Sequence, residues 1–246
     1  MEGGVCLRVG ATTRHADLEW ARTLAVEYSE RGYDRTVCRG RTASREEIDD
    51  LCSKMHETAL SRCRNDEERH SVRKVGIPQL CSWGILVERD GDILPANAFF
   101  LLAGTAFDMP LVQCAIFRGT SRAVFFDRQE FDGSLAEQIE GAYALVNQKI
   151  NVGADLNGAV RRDVYELPLW PVREIIANAV LHRTYLSSGY VQVALYDDRL
   201  EISSPGGIPR GLTMRQALDG RSEFRNKGLA QAFHYMKLGA AAFPVS

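Results

Sequence analysis

The segment REIIANAVLHRTY, Arg173 to Tyr185, reads as an apolar helix that carries three polar residues in register. Glu174, Asn178 and His182 recur every four positions. At about 100° per residue such positions drift by only about 40°, so they share one stripe. Ile175, Ile176, Ala177, Ala179, Val180 and Leu181 make the rest of the surface apolar. A helix buried on most sides leaves little solvent for its last face, which turns the stripe toward a cavity. The residue types suit a nucleotide. Mg²⁺ takes hard oxygen ligands, few of them from protein and the others from phosphates and water. Asn178 offers one such oxygen, and a glutamate one turn earlier can orient or deprotonate water. On this helix alone, a solvated polar face accounts for the same stripe equally well.

Around the helix the pattern is mixed. Upstream, GVCLRV (4–9) reads as a short strand ending at Gly10 and a polar ATTR, followed by a helix over 16–30. Ser44 with Glu47, and Ser134 with Glu137, are S-x-x-E capping boxes that open helices. Asp90-Gly91 sits between apolar runs as a tight turn. LVQCAIFRG, RAVFFDRQEF and AVRRDVYELP are strand-like. Pro168 and Pro171 punctuate the start of the apolar helix. YVQVALYDD and RLEISS form two further strands across an Asp197-Asp198 turn, and PGGIPRG is an obligate loop. Short helices at TMRQALDG and NKGLAQAFHYMK close the chain. The fold class is α+β: a C-terminal mixed sheet with helices packed on it, preceded by a smaller α/β segment.

Composition sets the bounds. The 246 residues suffice for one large domain or two modest ones. A hydrophobic fraction of 45%, a charged fraction of 25% and a net charge of −2 are ordinary for a globular protein, and advertise neither a membrane nor a nucleic-acid surface. No apolar run is long enough to span a bilayer, and the first residues lack a secretory pattern. Six scattered cysteines without a C-x-x-C pair favour reduced thiols and a cytoplasmic location. Cys52, His56, Cys63 and His70 fall close in sequence, but not at the paired spacings of zinc sites. No G-x-x-x-x-G-K-[ST] occurs, so the chain is not expected to be a P-loop helicase motor, and no G-x-G-x-x-G supports a dinucleotide fold.

Three blocks, REIIANAVLHRTY, DDRLEISSPGGIP and GRSEFRNKGLAQAFHYM, resemble consecutive blocks of one family. Its members join a Schlafen/AlbA-like DNA-binding domain to a divergent ATPase domain, and many are labelled transcriptional regulators or RecG-like helicases. The ATPase part is similar to the ATP-binding fold of gyrase, heat-shock chaperones, histidine kinases and MutL, the GHKL superfamily. DGDILPANAFFLLAG and EFDGSLAEQIEGAYALVNQKI resemble the preceding region, and GGVCLRVGATTRHAD the end of the first domain. The resemblance implies that residues 1–75 are a remnant of the DNA-binding domain plus a helical linker. It implies that residues 76–246 are a divergent GHKL-type domain, truncated at its C-terminus.

The implied function is ATP binding, with at most slow Mg-dependent hydrolysis, in a DNA-associated regulator. The implied alternative is a non-catalytic scaffold for dimerisation or DNA contact. Glu174 takes the place of the water-activating carboxylate, and Asn178 that of the Mg²⁺-binding amide. His182, Ser203, Gly206 and Gly207 would complete the ATP site. The superfamily's next box is D-x-G-x-G; here Ser203 stands for its aspartate and Pro205 for its first glycine. A serine keeps one hydrogen bond but loses the charge-assisted one. Thr184 replaces a common aspartate, and the tail MKLGAAAFPVS lacks the G-x-G lid. Implied partners are a nucleotide, DNA through the largely missing first domain, and a second copy in a homodimer, with no membrane. Arg161, Arg162 and Arg173 offer a short basic run, and Arg221, Arg225 and Lys227 read mainly as a solvated loop.

Overall fold

The structure is a computed structural model that describes residues 6–9, 12–15, 32–106, 111–155, 169–209, 212–219, 221 and 223–239. The expected helix over 16–30, the AVRRDVYELP strand, Arg161 and Arg162 lie outside them. Strand β1 (Cys6–Val9) pairs antiparallel with β2 (Thr12–His15). The polar ATTR stretch is therefore a strand in its greater part rather than a stop. Val9 faces Thr12 across two residues, the spacing of a tight hairpin, and threonine tolerates the extended backbone.

Helix α1 (Arg45–Ser61) opens on the expected capping box: Glu47 N donates to Ser44 Oγ at 3.1 Å, and Ser44 N donates to Glu47 Oε2 at 2.7 Å. Its buried residues, Ile48, Leu51, Met55 and Ala59, repeat at helical spacing and turn inward. The charged stretch after it is a short exposed helix, α2 (Asp66–Ser71). Helix α3 (Ile77–Trp83) leads into the hairpin β3 (Leu86–Arg89) and β4 (Asp92–Pro95). Asp90 and Gly91 turn it with φ of 54° and 88°, the positive pair a two-residue hairpin requires. Helix α4 (Asn97–Ala103) comes next, buried along Ala98–Leu102.

The main sheet has the order β6-β5-β7-β8. β5 (Val112–Arg118) and β6 (Val124–Phe131) are antiparallel, β5 and β7 (Val191–Leu195) are parallel, and β7 and β8 (Leu200–Ser203) are antiparallel. The parallel pair requires a crossover, which α5 (Leu135–Asp155) and α6 (Leu169–His182) supply on one face. Alternation sets that face: Val112, Cys114, Val191 and Val193 are buried, whereas Gln192 between them is exposed. They meet Leu135, Ile139, Ala142 and Val146 of α5, and Val172, Ile176 and Val180 of α6. Gly141 leaves the gap that Phe131 fills; a Cβ there would overlap the ring. Helices α7 (Met214–Leu218) and α8 (Lys227–Tyr235) complete the chain, and Leu229, Ala232 and Phe233 join the same core as Ile48, Phe99 and Ile176. The α+β class and the mixed sheet with helices on it are as the sequence predicts. Among the described residues no helix is long and apolar enough to cross a membrane.

Candidate nucleotide site

Helix α6 places Glu174 and Asn178 one turn apart, both half-buried. Neither side chain makes a hydrogen bond or ion pair with another described residue, although both sit beside a packed core. Their neighbours are committed. Arg173 Nε and Arg62 Nη2 each donate to Glu140 Oε1 at 2.7 Å. Arg173 is thus held by a carboxylate on α5 and is no free member of a basic run. The helix is not buried on most sides as its sequence suggests: Ile175 is 50% exposed, while Arg183, just past the last turn, is buried. Arg183 Nη2 reaches the Ser187 and Gly189 carbonyls at 3.2 and 2.5 Å, so its charge is solvated by backbone.

The C-terminal end of α6 has orphan carbonyls that need donors. Ser204 Oγ donates to Ala179 O at 2.7 Å. Asn226 Nδ2 donates to Leu181 O at 2.6 Å and to Arg183 O at 2.9 Å. Arg225 Nη1 donates to His182 O at 3.2 Å, and its Nη2 to Gly207 O at 2.9 Å. The guanidinium therefore sits at the negative end of the helix dipole and ties it to the glycine loop. Gly206 has φ of 106°, and a Cβ there would collide with Arg225 Nη1. Thr184 N donates to Pro205 O at 2.8 Å, closing the loop onto the helix. Arg225 and Asn226 thus act as a clamp, whereas Arg221 and Lys227 are exposed, as a solvated loop would have them.

His182 stacks on Phe224 with centroids 5.4 Å apart. Burial, and then the Arg225 charge, push its imidazole below the ordinary histidine range. Ser203 is exposed at the end of β8, opposite Gln192. Gly207 is also exposed. Ser204, rather than Ser203, touches α6. Beyond α8, Lys237 takes a left-handed φ of 55°, Leu238 is buried, and Gly239 passes Asn178: a Cβ there would lie 3.7 Å from Asn178 Oδ1. The structure therefore brings Gly239 to Asn178, with Glu174 one turn earlier on the same helix. His182, Gly206 and Gly207 gather around Phe224 and Arg225 one turn further on.

Asn226 and Ser204 escape a reading of the sequence. The signal for Asn226 is its place just before an apolar helical run, where asparagine is a preferred cap; its actual bonds go back to α6. Asn178 and Glu174 offer hard oxygen, and no group of three or more His, Cys, Asp or Glu among the described residues could hold a metal by itself. Of Cys52, His56, Cys63 and His70, which the sequence does not read as a zinc site, three have separate partners. His56 bonds Tyr235, Cys63 donates to Ala59 O, and His70 bonds Asp66 O in its own helix.

Residues 189–241 match a family profile described as "Putative ATP-dependent DNA helicase recG C-terminal". The span covers β7, β8, the glycine loop, α7 and α8, and starts after α6. The chain is also similar to the DIP2311 protein from Corynebacterium diphtheriae, a solved structure, over 96% of its length at 25% identity and a TM-score of 0.57. It spans 38% of the length of that protein. No curated protein matches the chain. These similarities support a RecG-like, ATPase-type domain at the C-terminal end of an α+β chain.

Proposed function

We propose that the chain binds a magnesium nucleotide, ATP, against α6, as the ATP-binding domain of a cytoplasmic, DNA-associated transcriptional regulator. The observation that carries this is the pair of uncommitted oxygen groups, Glu174 and Asn178, on a helix whose last carbonyls already have donors. The donor set fits Mg²⁺: one neutral amide oxygen from Asn178, with phosphate and water oxygens making up the coordination. The bound ion would bridge protein to phosphates and offset their charge. Gly206 and Gly207 let backbone approach a ligand closely. His182, stacked on Phe224, adds a flat ring whose charged form burial disfavours. Glu174 would orient water and accept its proton, giving slow turnover at most. The division near residue 75, with DNA contact in the preceding module and residues 76–246 as the ATPase-type domain, belongs to the same proposal.

A second reading, a scaffold without nucleotide, is favoured by the approach of Gly239 to Asn178. Thermal unfolding with Mg-ATP, against ATP plus chelator, separates the two. Binding to the native state alone raises the midpoint in a ligand-dependent way, and the nucleotide reading expects that rise only with magnesium present. Identical midpoints in both buffers would leave the scaffold.

A further inference from the structure

Strand β6 is the outer strand of the main sheet, and among the described residues nothing pairs with its free edge. Most of its residues are exposed, and Val124, Phe125 and Phe126 are 53%, 54% and 50% exposed. Three consecutive half-bare apolar residues on an open edge are a pairing site or an aggregation hazard. We propose that two copies of this chain join by antiparallel pairing of β6 with β6, making one eight-stranded sheet.

The occupant follows from the charges. A two-fold axis normal to the sheet keeps side chains on the same face, so each residue opposes one of the same parity and the axis passes through a residue. The bulge that leaves Phe126 unpaired opposite Ile116 and Phe117 limits the ladder to residues 127–131. An axis at Asp127, Arg128 or Glu130 sets that charge against its own copy. An axis at Phe131 sets Glu130 against Asp132 of the partner subunit. An axis at Gln129 sets amide against amide, and puts Arg128 opposite Glu130 of the partner subunit twice. Arg128 and Glu130 are neighbours on one face in this chain and already attract each other. Pairing therefore extends one ion pair into an alternating set of four charges. Val124–Phe126 then lie just beyond both ends of the ladder, against the Asp132–Ser134 turn of the partner subunit, where Gly133 has no side chain. Five residue pairs make a small interface, so the dimer should be reversible and concentration-dependent.

Sedimentation equilibrium of the full chain up to the millimolar range tests this. Wild type is expected to dimerise. Arg128→Glu and Glu130→Arg each create two like-charge contacts and should weaken association by about a hundredfold. Mixing those two variants should restore a dimer, and so should the double variant R128E/E130R. Both positions are on the surface, and unchanged circular dichroism would show that the fold persists. A wild type that stays monomeric, dimers that persist in both single variants, or single variants that fail to pair when mixed would each overturn the proposal.

Discussion

Asp34 is fully buried, and its Oδ2 accepts from Gly228 N at 2.6 Å and Leu229 N at 3.0 Å. It caps the start of α8 from almost two hundred residues away. Asp34→Ala removes the acceptor for two buried N–H groups and should cost about 2 kcal/mol or more, read by denaturant unfolding. Burial raises its carboxyl above the ordinary value, against the lowering pull of those two N–H groups. A raised folded-state value means that its stabilisation is full below the unfolded carboxylate range and is lost as pH rises through the folded value. The stability gap between wild type and Asp34→Asn should therefore widen as pH falls from neutral. Glu137 runs the other way, because its hydrogen bonds to Ser134 hold it below the usual range. Its contribution is present at neutral pH and fades in acid. A gap for Asp34→Asn that narrows in acid would contradict the first assignment. The two capping boxes are legible in the sequence because they lie within four residues. Asp34 is not, because nothing local marks a carboxylate that is folded onto a distant helix.

At the scale of elements, α6 is held in place by the glycine loop and by the start of α8. Asn226→Ala strands the Leu181 and Arg183 carbonyls and should cost about 2 kcal/mol, since an unpaired buried polar group loses its full desolvation energy. Gly206→Ala must leave a left-handed φ and displace Arg225, so it should destabilise by about 1 kcal/mol or more and weaken any ligand bound near the loop. Gly141→Ala inverts a propensity rule. Alanine favours a helix by about 1 kcal/mol over glycine, yet its Cβ would collide with Phe131. Net destabilisation in a melt is the expected result, and a gain would show that the strand gives way easily. The E-x-x-x-N spacing is readable from periodicity alone, as is the alternation that sets the sheet. The clamp is not, because Ser204, Arg225 and Asn226 act through contacts made only when α6, the glycine loop and α8 meet. Arg183 is not legible for a related reason: its charge is buried against carbonyls of the turn after α6.

Among the described residues one apolar core runs from Ile48 to Leu238, so α1 stabilises the same body that carries α6. Gly239, the last described residue, returns to Asn178 and links this end of the structure to the proposed site. Nucleotide binding is thus expected to protect α8 and the glycine loop, as well as α6, from amide exchange. Protection confined to the surface of α1 would place the ligand elsewhere. Calorimetric titration of the chain with ATP in excess magnesium tests the central claim most directly. The proposed site predicts measurable heat for wild type, none above background for Asn178→Ala, and near-wild-type affinity for Glu174→Ala with any hydrolysis removed. No heat from wild type at millimolar nucleotide, or equal heat from wild type and Asn178→Ala, would contradict it.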